Sequence, residues 1–252
     1  METIASLSKL TLQFTQITDA GLKTVADLKQ LTSLDLGESW ITDAGLKEVG
    51  KLNNLTWLAL HSTPITDTGV KELIGLKHLT YLDISGPKIT DAVLISLAEL
   101  TNLETLSLDD TQVNGIGLKC LRNAQKLKTL SLSNSKVTDI GLSELEGLQS
   151  VTNLILTKTR VSDIGLKEVG KLKNLENLFL FNTQITDEGL RELVELQQLR
   201  NLFLSRTNIT DAGLTELAKL KNLKLVFLTG TKVTDEGVRK LNESLPQLEV
   251  LR

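Results

Sequence analysis

Ile17-Thr18-Asp19-Ala20-Gly21-Leu22 returns as Ile41-Thr42-Asp43-Ala44-Gly45-Leu46, and the phrase recurs at an unvarying 24-residue period, ten times in all, to Val233-Thr234-Asp235-Glu236-Gly237-Val238. Self-similarity at this period marks a solenoid, in which one unit has too little core to fold alone and stability is a sum of single-repeat and neighbour terms. The phase never slips between Ile17 and Val233. The 252 residues are therefore read as one domain, 1–252, of ten repeats, with part of a helix at 1–6 and a terminal strand at 245–252.

Working outward, Leu31 is taken as position 1 of a repeat. Leu34 and Leu36, at positions 4 and 6, alternate as in a strand, whereas Leu46, Val49 and Leu52 recur at helical spacing. Each repeat reads as strand, turn, helix, turn. The strands are expected to stack in parallel, about 4.8 Å apart, with positions 4 and 6 turned inward and positions 3, 5 and 7 facing solvent.

The recurring polar residues have structural explanations. A hydroxyl fills position 9 in every repeat except the fourth, where Pro87 stands, and can satisfy backbone groups in the turn leaving the strand. The Thr-Asp pair before each helix reads as an N-cap with a carboxylate at the positive end of the helix dipole. No further oxygen ligands accompany these aspartates, so calcium is not implied. Glycine in the first helical turn costs roughly 1 kcal/mol against alanine, and its recurrence implies close approach to the sheet or to the neighbouring coil. Val93 in place of that glycine, and Asn114-Gly115 in place of Thr-Asp, predict a local irregularity near residues 86–117.

The spacing Leu-x-x-Leu-x-Leu-x-x-Thr/Ser-x-Ile resembles the leucine-rich repeat. With the phrase I-T-D-x-G-L-K, the unit is similar to the ribonuclease-inhibitor-like and F-box-adaptor type, most of all to bacterial arrays. The resemblance implies an α/β solenoid, a right-handed horseshoe with a parallel sheet on its concave face and helices on its convex face. It implies a non-catalytic module that binds proteins on the concave sheet. A ubiquitin-ligase adaptor role is not expected, since no F-box sequence is read before the array.

The aromatic residues, five Phe, two Trp and one Tyr, all avoid the core positions. Phe179, Phe203 and Phe227 share position 5 on successive repeats, with Ile155 one repeat earlier and Phe181 at position 7; Trp57 and Tyr81 share position 3. Leu225 and Val250 are expected to enlarge this stripe at position 3, one added residue near Leu245-Pro246 being assumed. His61 lies at outward position 7 and Trp40 at position 10, also off the core. An apolar patch of a few hundred Å², roughly the size at which exposure signals contact, follows. The bland reading is a cross-strand aromatic ladder that merely stabilises the sheet. As an exposed residue, Phe203 is expected to tolerate serine within about 1 kcal/mol.

Charge is uneven along the outward positions. Repeats one to five set Lys9 and Lys88 against Asp35, Glu38, Glu104, Asp109 and Asp110; repeats six to ten set Lys128, Lys136, Lys158, Arg160, Arg200, Arg206, Lys224 and Lys232 against Glu176. A protein or peptide with acidic residues is the favoured partner, anchored on the phenylalanines and steered by Arg160, Arg206 and Lys232, with Trp57 and Tyr81 as a secondary site. Single-stranded nucleic acid on the same basic, aromatic half is the less favoured occupant, because the acidic first half and a net charge of −3 oppose a long polyanion.

Catalysis is not implied. The repeats carry no insertion to form a lid, and of the two histidines only His61 could meet carboxylates, those of Asp35 and Asp83. The single Cys120, expected on the solvent side of a helix, excludes internal disulfides and thiolate clusters. No cofactor motif is present, and no apolar run long enough to span a bilayer or charged-then-apolar leader is seen, so the chain reads as soluble and either intracellular or already processed. Met1 and Ile4 align with Val25 and Leu28, leaving no polar cap at that end. A segment of a longer protein is the first explanation, and self-association through the uncapped ends, or a structural role in a larger assembly, is the alternative.

Overall fold

Buried aliphatic side chains set the architecture. In the second repeat Leu31, Leu34, Leu36, Ile41, Leu46, Val49 and Leu52 are all at most 1% exposed, and among the described residues no aromatic side chain is buried with the aliphatic ones. A computed structural model describes residues 6–252; of the partial helix expected at 1–6, residues 1–5 lie outside the described part and Ser6 is in a turn.

The described chain falls into two compact units. The first extends to Val113 and includes Cys120–Leu127. Its strands are β1 (Lys9–Thr11), β2 (Ser33–Asp35), β3 (Trp57–Ala59), β4 (Tyr81–Asp83) and β5 (Thr105–Ser107), and its helices are α1 (Asp19–Val25), α2 (Asp43–Val49), α3 (Asp67–Val70) and α4 (Val93–Leu97). The second comprises Asn114–Lys119 and Lys128–Arg252. It holds β6 (Thr129–Ser131), β7 (Asn153–Ile155), β8 (Asn177–Phe179), β9 (Asn201–Phe203), β10 (Leu225–Phe227) and β11 (Glu249–Leu251), with α5 (Asp139–Leu142), α6 (Asp163–Val169), α7 (Asp187–Arg191), α8 (Asp211–Leu217) and α9 (Asp235–Ser244). Within each unit the strands pair in parallel and in chain order, residue i opposite residue i+24, as with Leu34↔Leu58 and Leu178↔Leu202.

That register corrects the expectation at the end of the chain. Val226 pairs with Val250 and Phe227 with Leu251. No residue is added to the strand count; Val250 takes an inward position and Leu251, 37% exposed, extends the outward line of Phe227. The irregularity near 86–117 is present. α4 begins at Val93, two residues later in its repeat than its neighbours, and the fifth repeat has a 3-10 segment, Leu118–Asn123, in place of an α-helix. Cys120 is half-buried, not exposed as expected.

The Thr-Asp-x-Gly phrase does more than cap. Asp163, at the start of α6, accepts the backbone N–H of Thr186 at 2.8 Å through Oδ1 and the Thr186 hydroxyl at 2.6 Å through Oδ2. The same pair of bonds joins Asp19 to Thr42 and Asp187 to Thr210. The threonine oxygen in turn accepts from the helix it begins, Glu188 N–H at 3.3 Å for Thr186. These aspartates therefore staple their own repeats to the next, a role beyond the local cap that the sequence alone indicates. The glycine follows from the staple: a Cβ on Gly189 would stand 2.3 Å from Asp163 Oδ1. Where Gly115 replaces the aspartate, Thr138 has no side-chain cap bond and α5 is four residues long.

The position-9 hydroxyls donate to the position-6 carbonyl of their own repeat, Thr183 to Leu180 at 2.7 Å and Thr207 to Leu204 at 2.6 Å. They hold a turn whose preceding residue is left-handed: φ is +56° at Lys158, +55° at Asn182 and +58° at Arg206. Gly86 departs from this, because a following proline disfavours that conformation.

Candidate functional site

Alternation along three-residue strands delivers the outward side chains. Within the second unit, Ile155, Phe179 and Phe203 pair in register, as do Phe203 and Phe227. The rings stack: Phe179 and Phe203 centroids are 4.1 Å apart at 9°, Phe203 and Phe227 4.6 Å apart at 16°. Phe203 is thus half-buried between two rings, which corrects the expectation that serine there costs about 1 kcal/mol or less; two stacked pairs at about 1 kcal/mol each are lost. Phe181, two residues beyond Phe179, receives the Arg206 guanidinium over its ring at 5.4 Å.

These four phenylalanines and Arg206, with Thr157, Ser205 and Thr229, line a hollow of about 420 Å³. Arg160 and Lys232 are exposed in the turns beyond the strands and do not line it. Ile155 adjoins the ladder on β7. Beside the rings runs an amide ladder absent from the sequence reading, although asparagine at position 3 of three successive repeats was its visible signal. Asn201 Nδ2 donates to Asn177 Oδ1 at 2.5 Å, Asn177 Nδ2 to Asn153 Oδ1, and Asn153 Nδ2 to Thr129 Oγ1 at 3.0 Å.

Charge on this face is unbalanced. Arg200 lies 3.8 Å from Glu176. Among the described residues Lys136, Lys158, Arg160, Arg206, Lys224 and Lys232 have no carboxylate within ion-pair distance.

The first unit carries the other outward residues. Trp57 and Tyr81 pair in register and stack at 4.8 Å and 11°. Burial, and then the charges of Asp83, Asp35 and Asp109, push the Tyr81 phenol above its ordinary value, so it stays protonated. His61 Nδ1 lies 3.5 Å from Asp83 Oδ2, and the buried Nδ1 makes no hydrogen bond. Its Nε2 lies 3.1 Å from Gln13 Nε2. Asp35, the other carboxylate expected near His61, accepts the Gly37 N–H instead, and the imidazole lies against Gly37, where a Cβ would come within 2.2 Å of it. Asp83, at position 5 of β4, also belongs with the acidic residues of the first half. Trp40, 59% exposed, sits in the turn beyond β2. Among the described residues no group of three or more His, Cys, Asp or Glu side chains is placed to hold a metal ion, and no helix is long and apolar enough to cross a membrane.

Family models described as leucine rich repeat match residues 101–161 and, separately, residues 4–26, 29–50 and 75–98. The chain is a leucine-rich-repeat protein. Its fold is the α/β fold of that family, and leucine-rich-repeat domains are in general protein-interaction modules. Among solved structures, the leucine-rich-repeat chain is similar to an internalin (inlF) of Listeria monocytogenes, with TM-score 0.65 and 20% identity over 98% of this chain and 87% of that one. Internalin C2 of the same organism gives TM-score 0.62 and 28% identity over 88% and 80%. A leucine-rich-repeat protein of Leptospira interrogans gives 0.54 and 21% over 90% and 74%. No curated protein sequence matches this leucine-rich-repeat chain.

Proposed function

We propose that this leucine-rich-repeat protein is a non-catalytic binding module that holds a protein or peptide on the outward face of β7–β10. Phe179, Phe181, Phe203 and Phe227 are the anchors, Ile155 extends them, and Arg160, Arg206 and Lys232 steer the partner. Trp57, Tyr81, His61 and Trp40 of the first unit form a secondary contact region. One observation carries the reading: a phenylalanine ladder that the core does not use, bordering an open hollow of about 420 Å³. Covering a few hundred Å² of such surface, at about 25 cal/mol per Å², supplies several kcal/mol of binding energy.

The test is capture from host lysate on immobilised protein, run in parallel with a Phe179→Ser/Phe203→Ser variant shown to be folded by circular dichroism. Nuclease treatment of half of each sample separates direct partners from those tethered by nucleic acid. A protein retained by the native chain, lost with the variant and indifferent to nuclease is the expected result. Identical retention by both chains would remove the phenylalanines from any role in binding.

A further inference from the structure

On the reading just given, the way the rings are already occupied defines the chemistry of the partner. Both faces of Phe203 are covered, by Phe179 at 4.1 Å and Phe227 at 4.6 Å. Next to the ladder in register stand Ile155, the partner of Phe179 on β7, and Leu251, the partner of Phe227 on β11. A face of Phe181 is taken by Arg206. A nucleobase needs an open aromatic face on which to stack, and the position-5 ladder offers a visitor ring edges instead. Aromatic edges carry the positive lobe of the ring quadrupole, so they favour carboxylate and carbonyl oxygens.

The surroundings agree. Arg206 brings the one guanidinium that lines the hollow, and Lys158, Arg160 and Lys232 in the adjoining turns have no carboxylate partner among the described residues. The amide ladder uses one of the two N–H groups of Asn177 and of Asn201, which leaves the second to meet a peptide carbonyl. Four strand spacings of about 4.8 Å separate Ile155 from Leu251, roughly 19 Å, or about six residues of extended chain at about 3.3 Å each.

We infer that the occupant is an extended acidic peptide segment of about six residues, its carbonyl oxygens on the phenylalanine edges and the asparagine N–H groups, its aliphatic side chains in the hollow and a carboxylate on Arg206.

The experiment is selection of a random dodecapeptide library displayed on phage against the full chain, with the Phe179→Ser/Phe203→Ser variant as counter-selection. Enriched sequences are then synthesised with a fluorescent label, and their affinity is measured by anisotropy beside that of a labelled twelve-nucleotide oligothymidylate. The expected outcome is a set of net-negative peptides in which Leu, Ile or Val adjoins Asp or Glu, whose binding weakens as salt rises. Arg206→Ser, a change at an exposed position, should weaken them by about tenfold or more, and Arg206→Lys by less. Phe-dependent peptides that are neutral or basic would overturn the acidic assignment while leaving the interaction face in place. Recovery of no Phe-dependent peptide would overturn both. Oligothymidylate bound tightly by the native chain and lost in the Phe variant would replace the peptide with a single-stranded nucleic acid.

Discussion

Replacing Gly189 with alanine should destabilise the protein even though alanine is the better helix former. Gly189 lies in the first turn of α7, where intrinsic propensity alone favours alanine by about 1 kcal/mol. The added Cβ, however, would meet Asp163 Oδ1 at 2.3 Å, and the Leu166 Cδ1 methyl at 3.0 Å. The methyl is the end of a flexible side chain and can swing away. The carboxylate cannot move without releasing the Thr186 N–H and hydroxyl, at 2.8 and 2.6 Å. Two charge-assisted hydrogen bonds, partly exposed, are together worth about 2–4 kcal/mol, so a net loss of about 1–3 kcal/mol is expected. Urea titration followed by far-ultraviolet circular dichroism reads it as a lowered midpoint at unchanged slope. The decisive comparison is the double variant Asp163→Ala/Gly189→Ala, in which the carboxylate is gone. There the glycine-to-alanine step should change sign and stabilise by about 0.5–1 kcal/mol, as it should at Gly75, whose Cβ would meet nothing within 4 Å. A Gly189→Ala protein as stable as the native chain would refute the staple as the reason for the glycine.

Phe203→Ser should cost about 1–3 kcal/mol of stability through two lost ring stacks as well as partner binding, read by the same urea titration. Thr183→Val removes a buried hydroxyl that donates to Leu180 and should cost about 1–2 kcal/mol, with no effect on peptide affinity. Lys158→Asn should raise the urea midpoint by up to about 1 kcal/mol equivalent, because φ of +56° suits asparagine better than lysine. The Asp211 carboxyl is held below its ordinary range by the Thr234 hydroxyl and then by the Thr234 N–H, against a smaller opposing effect of burial. Its contribution is therefore full above about pH 4, the ordinary aspartate value, and fades as pH falls through the lowered folded value. Thermal melts from neutral to acid pH should show the native chain ahead of Asp211→Asn at neutrality and the gap closing in acid; a constant gap would contradict this.

The periodicity was enough to read strand, helix and outward positions, because leucines at positions 4 and 6 and at 16, 19 and 22 report burial directly. Phe179, Phe203 and Phe227 could be placed on one line for the same reason. What the repeat concealed was any bond between residues 23 apart: Asp163 looked like a local cap because its partner, Thr186, is local only in the folded coil. The left-handed residue at position 8 was obscured by Lys158 and Arg206, which rarely adopt it, although Asn134, Asn182 and Gly230 occupy the same place. The end of the chain misled for a plainer reason. Leu248 sits one place beyond position 1, and its hydrophobicity suggested a shifted frame, whereas backbone pairing kept Val250 opposite Val226.

The staple couples residues 23 apart and nothing nearer, so it is indifferent to how many repeats lie on either side. Removal of any regular 24-residue block returns an aspartate to a threonine and a glycine, whereas a deletion of any other length leaves carboxylates facing the wrong residues. The positions that hold one repeat to the next lie at the helix starts, and those that would meet a partner lie on the strands and the turns after them. A lineage carrying this chain can therefore lengthen it, shorten it or rewrite its outward face, while the rule by which neighbours recognise each other stays the same.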